Sequence, residues 1–331
     1  MRTVAILPLP AKLILCPELI GVLKEAAEEA SDIGLIFIGQ LPSQPEPEQR
    51  CKEFQSFLIE VYSLLLESRQ NKCNWWGGNI DVWFDAFWQP DWIHKARMSG
   101  WDIIFSTPSV FDSLKGANVD DVPYKRVVDS LGGTQTVGSE RVHVGVHQTV
   151  ALGGTFDHLH AGHKVLLTLA VYLSIRRVVV GVTGEHFFFR VVFLAKKSGP
   201  ALLTRKNNAE ILESIHTRKA TVDAFVRRLA PQLECDIFTL DDVYGPTATD
   251  SDIDGIVVST ETLSGSDASG LHFIWSVFRL TPLRLVNAKR QENKIKELDV
   301  FVIDLVDQSA ELKLSSTQIR KELSKATADT D

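Results

Sequence analysis

The residues that could carry chemistry are concentrated in residues 153–163, which read Gly-Gly-Thr-Phe-Asp-His-Leu-His-Ala-Gly-His. Glycines let a ligand approach the backbone closely, and the threonine offers a hydroxyl. A helix is predicted to begin at the end of the stretch, and the N–H groups of a helix N-terminus attract anions. An imidazole N–H can donate to a phosphoryl oxygen. The spacing predicts a phosphate-binding loop that is neither GxxxxGK[ST] nor GxGxxG; its candidate residues are Gly153, Gly154, Thr155, His160, Gly162 and His163.

A second stretch with hydroxyl and guanidinium groups lies near the C-terminus, where residues 314–320 read Leu-Ser-Ser-Thr-Gln-Ile-Arg. Ser315 and Ser316 can cap a helix and can also offer hydroxyls to phosphates. Arg320 follows about one turn into that helix. Taken alone, the stretch is equally compatible with a simple N-cap followed by a surface arginine.

Together the two stretches resemble the motifs of the HxGH nucleotidyltransferase superfamily, in which GGTFD precedes HxGH and ISSTxIR lies downstream. Further stretches over 181–184, 244–247 and 257–262 resemble eukaryotic phosphopantetheine adenylyltransferase, and the fungal, monofunctional form in particular. The resemblance covers roughly residues 142–324. The animal enzyme carries an additional kinase domain, which is not expected here because the sequence contains no P-loop.

The resemblance implies the transfer of an adenylyl group from ATP to 4′-phosphopantetheine, giving dephospho-coenzyme A and pyrophosphate. It implies that His160 and His163 stabilise the transition state at the α-phosphate, and that Thr155 bridges the attacking phosphate and the α-phosphate. The substrate phosphate is itself the nucleophile, so catalysis would be mainly positioning and charge stabilisation. Mg²⁺ is expected on the ATP, held largely by phosphate and water oxygens.

The resemblance also assigns binding roles. Lys206 aligns with the lysine that holds the substrate phosphate, although a solvated lysine at a helix start is the alternative, and Arg218 is a second candidate for the same pocket. The residues expected to bind ATP are Gly153, Gly154, Thr155, Phe156, Gly162, His163, Ser259, Thr260, Glu261, Ser315, Ser316, Thr317 and Arg320.

Two apolar inserts depart from the family pattern. One runs from 186 to about 201, before the Leu-Leu…Lys pattern at 202–206, and the other spans about 266–286, before Asn-Ala-Lys-Arg at 287–290. Exposed apolar patches mark an interface or a liability. We interpret both as translated introns in a gene model, and sequencing of the transcript would test this. As genuine protein they would cover the pocket or disrupt it.

Helices alternating with strands predict an α/β fold with a doubly wound parallel sheet, Rossmann-like, over 141–331. Ligands in such sheets bind beyond the carboxyl ends of the strands. The predicted strands there are 142–152, 177–182, 236–240, 255–258 and 300–305, and the helices are 163–174, 208–229 and 317–324.

Residues 1–140 form a poorly defined α/β region to which the sequence assigns no role, and the Gly/Thr/Ser-rich stretch 132–140 is the predicted boundary. Helices are predicted over 18–30 and 54–66, strands over 1–8, 33–38 and 101–105, and a loop over 42–49. The strand over 1–8 is preferred to a signal peptide because Pro8 and Pro10 interrupt the short apolar run. An aromatic cluster is predicted to be core rather than a stacking surface; it comprises Trp75, Trp76, Trp83, Phe84, Phe87, Trp88 and Trp92.

Composition is that of a globular protein, with 44% hydrophobic and 23% charged residues in 331. A net charge of −7 and a pI near 5.8 argue against a nucleic-acid partner. No apolar run reaches the ~18 residues of a membrane span. Four cysteines without metal spacing indicate free thiols in a reducing compartment. We therefore expect a cytoplasmic protein with no membrane partner and no metal held by the protein.

Two other functions remain open from the sequence. One is another small-molecule adenylyl- or cytidylyltransferase, although the RYVDE-type cytidylyltransferase signature is missing. The other is a non-catalytic subunit of a coenzyme A-synthesising assembly, inactivated by the inserts. The expected ligands are ATP and 4′-phosphopantetheine, and other enzymes of coenzyme A synthesis are the expected protein partners.

Overall fold

The chain forms two compact units, one mainly from residues before 145 and the other mainly from residues after it. The computed structural model describes residues 1–41, 46–69, 80–88, 100–114, 122–128, 131, 145–184, 211–241, 244–259, 281–303 and 316–328. Within these residues, no helix is long and apolar enough to cross a membrane.

The N-terminal unit is a five-stranded parallel sheet with the strand order β3-β2-β1-β4-β5. The poorly defined region expected from the sequence is therefore a regular α/β unit. Its elements are β1 (Arg2–Pro8), α1 (Pro17–Glu29), β2 (Asp32–Ile38), α2 (Pro47–Glu67), β3 (Ile80–Phe84), β4 (Ile103–Ser106), α3 (Pro108–Ser113) and β5 (Tyr124–Val127).

Part of the predicted aromatic cluster lies in the core of this unit. Phe84 and Phe87 are buried and pack at 5.0 Å and 6.5 Å between ring centroids on Phe54 of α2, in edge-to-face geometry. Trp83 is buried as well, and Trp88 is partly buried. The core prediction holds for these residues, whereas Trp75, Trp76 and Trp92 lie outside the described residues.

The second unit is also a five-stranded parallel sheet, with the order β10-β9-β6-β7-β8. The predicted α/β fold with a parallel sheet is confirmed. Its elements are β6 (His147–Gly154), α4 (Ala161–Leu173), β7 (Ser174–Thr183), α5 (Ile215–Leu229), β8 (Glu234–Leu240), β9 (Gly255–Ser259), α6 (Thr281–Glu292), β10 (Asp299–Ile303) and α7 (Ser316–Ala328).

The strand order positions the candidate loop. The chain leaves β6, the central strand, and proceeds to β7 and β8 on one side, then to β9 and β10 on the other. The order therefore reverses between β6 and β9, which is the switch point where ligands bind in open α/β sheets. The ends of β6, β7 and β9 lie at the same edge because the strands are parallel.

Burial explains why these segments form strands. Val178 and Val180 on one face of β7 and Val179 on the other are all buried, as expected of a β-branched run covered on both faces. Val286 of α6 also packs in the core, with Ala151, Val179, Ile253 and Leu298. This residue is the last of the second predicted insert, so the end of that segment belongs to the fold. The rest of both inserts, apart from 281–285 in α6, lies outside the described residues.

Two predicted helix boundaries were wrong. Helix α2 begins at Pro47, inside the predicted loop, because proline at the first helical position is already set to a helical φ. Helix α5 begins at Ile215, after the predicted start at residue 208. Ser214 precedes it and its Oγ accepts from Thr217 N at 3.1 Å, which is an N-cap that the sequence prediction missed.

Candidate functional site

The loop that follows β6 is compact and conformationally demanding. Thr183, at the end of β7, donates from Oγ1 to the Gly154 carbonyl at 3.0 Å. A Cβ on Gly154 would lie 3.1 Å from the ring of Phe156, which is fully buried, so glycine leaves room for that ring. Phe156 and His158 have φ values of 50° and 46°. Such left-handed geometry is uncommon without glycine and clusters at functional sites.

Helix α4 begins directly after this loop, with His160 at its N-cap. The backbone of His160 is extended (φ −116°, ψ 176°), and its side chain makes no capping hydrogen bond within the described chain. The first turn contains no acidic side chain. The N–H groups of the first turn therefore remain available to an anion, and the helix dipole favours a negative charge there.

His160 and His163 form a stacked pair at this helix start. Their ring centroids lie 3.9 Å apart with an interplanar angle of 25°. The ring of His163 also lies 5.2 Å from that of Phe156. Both side chains keep some exposed surface, but both Nδ1 atoms are buried, and neither has a hydrogen-bond partner among the described residues. The structure thus brings together the two histidines that the sequence paired.

Both imidazoles are held in the neutral form. Burial lowers the pKa of His160 to about 3, and the neighbouring Lys164 and His158 lower it further. Burial also lowers the pKa of His163 well below its ordinary value, with a contribution from His160. Desolvation disfavours the charged form of a histidine. Near neutral pH each ring therefore carries one N–H and can donate one hydrogen bond to a bound phosphate.

The neutral histidines should make the protein sensitive to acid. When folding lowers the pKa of a histidine, the histidine does not reduce the free energy of unfolding at pH values above its unfolded pKa of about 6.5. As the pH falls from there towards the folded pKa of about 3, the unfolded chain takes up a proton that the folded chain excludes. We expect the free energy of unfolding of His160→Gln, measured in urea between pH 6 and pH 4, to fall less steeply than that of the wild type.

The difference in slope is limited to one proton, or about 1.4 kcal/mol per pH unit. His216 lies exposed on α5, so His216→Gln is the matched control and should keep the wild-type slope. Equal slopes for wild type and His160→Gln would show that burial does not hold His160 neutral.

Arg218 supports the loop from within the fold. It is fully buried, and its guanidinium donates to the carbonyls of Thr155 at 2.7 Å, Thr183 at 2.9 Å and Glu213 at 3.0 Å. These carbonyls belong to three segments at the carboxyl edge of the sheet. The sequence placed Arg218 in the substrate-phosphate pocket. In the structure Nε and Nη1 of its guanidinium are directed at these backbone carbonyls.

The C-terminal motif reaches the loop through α7. Ser316 donates from Oγ to the Asp157 carbonyl at 2.9 Å, and the same Oγ lies 3.4 Å from Nε2 of His160. Arg320 is 3% exposed and forms an ion pair with the carboxylate of Asp157. The sequence assigned Arg320 to the ATP phosphates, but here its charge is paired inside the fold. Thr317 belongs to the first turn of α7.

The other predicted residues are placed as follows. Thr155 is partly exposed, Gly153 is exposed, Gly162 is buried in the first turn of α4, and Ser259 is buried at the end of β9. This edge is therefore shared by the loop and the predicted adenosine-facing segment. The predicted residues outside the described residues are Lys206, Thr260, Glu261 and Ser315.

One group of side chains beside the loop has the composition of a metal site. Possible ligand atoms of Asp157, His158 and Glu213 lie within 4.8 Å of one another. Both carboxylates already accept hydrogen bonds within this group, however: Asp157 accepts from Glu213 N at 3.0 Å, and Glu213 accepts from His158 N at 2.7 Å. His158 Nε2 lies 3.1 Å from the Ile211 carbonyl. These contacts show that the three residues connect the loop to the segment before α5, and we call this cluster the brace.

Sequence reasoning missed this brace. Asp157 lies inside the motif on which the resemblance rests, yet it received no role, since its partners are remote in sequence. Glu213 carries no signal beyond its position just before the Ser214 cap.

Comparison with known proteins places the site in a family. An uncharacterized protein of Schizosaccharomyces pombe is 37% identical over 183 residues, which cover 53% of this chain and 48% of that protein. The phosphopantetheine adenylyltransferase of Saccharomyces cerevisiae is 33% identical over 184 residues, covering 54% and 50%. The phosphopantetheine adenylyltransferase of Methanothermobacter thermautotrophicus is 33% identical over 177 residues, covering 53% and 84%. The chain spans about half the length of the two fungal relatives. No model of a known protein family matches it.

Proposed function

This chain belongs to the phosphopantetheine adenylyltransferase family, and from that premise we propose that it converts ATP and 4′-phosphopantetheine into dephospho-coenzyme A and pyrophosphate. The observation that carries the proposal is the stacked pair His160 and His163, both neutral, at the N-terminus of α4. This pair lies at the carboxyl edge of the central strand. Such a site suits an α-phosphate that gains charge during transfer.

The proposed reaction is a displacement at the α-phosphorus. An oxygen of the 4′-phosphate forms the new phosphorus–oxygen bond, and the bond from the α-phosphorus to the bridging β-oxygen breaks. Pyrophosphate leaves with that electron pair. No protein nucleophile takes part, so the protein contributes by aligning the two phosphates and by donating hydrogen bonds to the charge that develops.

Each loop group has a distinct part in this proposal. The hydroxyl of Thr155 bridges the attacking and α-phosphates. The N–H of His163 donates to a non-bridging α-phosphate oxygen, joined by the backbone N–H groups of the first turn of α4. The Nε2–H of His160, which faces Ser316 Oγ at 3.4 Å in the chain without ligand, is shared with an α-phosphate oxygen when ATP binds. Neutral imidazoles provide these donors at physiological pH without a protonation step. Preorganised donors in a partly dehydrated site are worth far more than donors in water.

The remaining contacts are proposed on the family resemblance. Lys206 binds the phosphate of 4′-phosphopantetheine, the segment 259–261 faces the adenosine, and 315–317 approaches the β- and γ-phosphates. Magnesium would be bound with ATP by phosphate and water oxygens. The described carboxylates beside the loop, Asp157 and Glu213, suit this arrangement, because Asp157 is paired with Arg320 and each carboxylate accepts from a backbone N–H group.

The wider setting is proposed on the same grounds. ATP and 4′-phosphopantetheine are the substrates, and other enzymes of coenzyme A synthesis are the proposed partners. The scattered cysteines suit a reducing compartment such as the cytoplasm.

Pyrophosphate release by the full chain tests the proposal. ATP is supplied with 4′-phosphopantetheine, with other alcohol phosphates or with mononucleotides, and the product is identified by mass spectrometry. We expect release with 4′-phosphopantetheine and a product with the mass of dephospho-coenzyme A. Release only with another acceptor would assign the chain to a different nucleotidyltransferase reaction. No release with any acceptor would identify a non-catalytic subunit.

A further inference from the structure

Asp157 is the point at which three segments of the second unit meet. It is fully buried, and each of its acceptors is used. Oδ1 accepts from the backbone N–H of Glu213 at 3.0 Å, Oδ2 accepts from Nη1 of Arg320, and the carbonyl accepts from Oγ of Ser316 at 2.9 Å. The partners lie before α5 and on α7. A single residue of the loop therefore links both segments to the helix start where the histidines lie.

The ion pair between Asp157 and Arg320 spans 163 positions in the sequence. Both side chains are almost completely removed from solvent, at 0% and 4% exposure. Removing one partner from such a pair leaves an uncompensated buried charge, which is strongly unfavourable. Nη1 of the guanidinium therefore ties α7 to the loop at Asp157.

The same contacts set the environment of His160. The hydroxyl of Ser316 carries one proton, which it donates to the Asp157 carbonyl. Towards Nε2 of His160, 3.4 Å away, that hydroxyl can therefore act only as an acceptor. This arrangement favours the tautomer of His160 that is protonated at Nε2. The buried Nδ1, without a partner, is then the unprotonated nitrogen.

We infer that Asp157 and Arg320 are a positioning pair, which docks the N-terminus of α7 on the phosphate loop and thereby orients His160 through Ser316. In this arrangement Arg320 acts on His160 through Asp157 and Ser316. The catalytic meaning of this inference rests on the proposed function, whereas the contacts among Asp157, Arg320, Ser316 and His160 are independent of it.

A double-mutant cycle on ATP binding separates positioning from direct contact. The dissociation constant for ATP is measured by calorimetry on the full chain for wild type, Asp157→Asn, Arg320→Gln and the double variant. For a positioning pair, each single change should weaken ATP binding by about tenfold, and the double variant should bind no more weakly than the singles. If Arg320→Gln weakens binding as much in the Asp157→Asn background as in the wild type, Arg320 contacts ATP itself and the inference fails.

A spectroscopic readout follows His160 directly. In protein with ¹⁵N-labelled histidine, NMR nitrogen shifts should report protonation at Nε2 in the wild type. They should report a mixture of tautomers in Arg320→Gln and in Ser316→Ala. The second variant leaves the buried charges intact, so it tests the same link if Arg320→Gln does not fold. Unchanged shifts of His160 in the folded variants would contradict the inference.

The matched control is Arg227→Gln, which breaks an exposed arginine–aspartate pair on α5. It should leave both the ATP affinity and the His160 shifts at wild-type values. The cycle also distinguishes this inference from the proposed function. If the wild type binds ATP but transfers no adenylyl group to 4′-phosphopantetheine, the proposed function alone is refuted. If transfer occurs and the effects of Asp157→Asn and Arg320→Gln on the ATP dissociation constant add in the double variant, the positioning pair alone is refuted.

Discussion

Replacing His163 with alanine should slow the release of pyrophosphate from ATP and 4′-phosphopantetheine by about a hundred- to a thousandfold. Removing one preorganised donor from an oxyanion-type site costs about this much in turnover. His163 lies in the first turn of α4, stacked on His160, and burial keeps it neutral, so its N–H is available at physiological pH. The loss should fall on kcat, with KM for ATP nearly unchanged, because the donor acts mainly on the transition state.

Two further variants sharpen this test. His163→Gln keeps an N–H donor at a similar reach, so it should retain more activity than His163→Ala. His216→Ala removes a histidine that is exposed on α5, away from the first turn of α4, and should match the wild type. Turnover by His163→Ala at the wild-type rate would remove His163 from the mechanism.

The loop and its supporting strand were predictable because their signals are local. Eleven residues, 153–163, contain the glycines, the threonine and both histidines. The strand before them and the helix after them follow from hydrophobic pattern alone. The β-branched run of β7 likewise reads as a buried strand without knowledge of its neighbours. Parallel pairing then requires the ends of β6, β7 and β9 to share one edge.

The supports of the loop could not be predicted, because they join distant segments. Nothing near Arg320 indicates that its partner is Asp157, and nothing near Arg218 indicates that it holds three carbonyls. The resemblance to the family therefore assigned both arginines to phosphate groups. Only the tertiary structure shows that these guanidinium groups are occupied within the protein.

The N-terminal unit shows a different limit of sequence reasoning. Its strand order, with β1 central, β2 and β3 on one side and β4 and β5 on the other, matches that of the second unit around β6. The sequence predicted three of these strands, β1, β2 and β4, but neither β3 nor β5. No phosphate-loop motif was found after β1, so shared topology does not imply a shared site.

A third arginine, Arg290, supports the connection between β8 and β9, residues 241–254, from its position on α6. It is fully buried on α6. Its guanidinium donates to four carbonyls, those of Thr247, Asp250, Ile253 and Lys296, at 2.6 to 3.0 Å. Burial lowers the pKa of Arg290 from its ordinary value, so the charged group bears a desolvation penalty that these contacts offset.

Arg290→Met should therefore lower the free energy of unfolding of the second unit by about 3–5 kcal/mol, since it leaves four carbonyls without their donor. The loss is measured by native-state hydrogen exchange of the amides in β9, which this connection leads into. Lys289→Met is the matched control, because Lys289 is its neighbour on α6 and forms only a surface pair with Glu292. We expect that control to change stability by less than about 1 kcal/mol. Equal stability of Arg290→Met and Lys289→Met would mean that the carbonyls find other donors, and that this connection does not depend on the arginine.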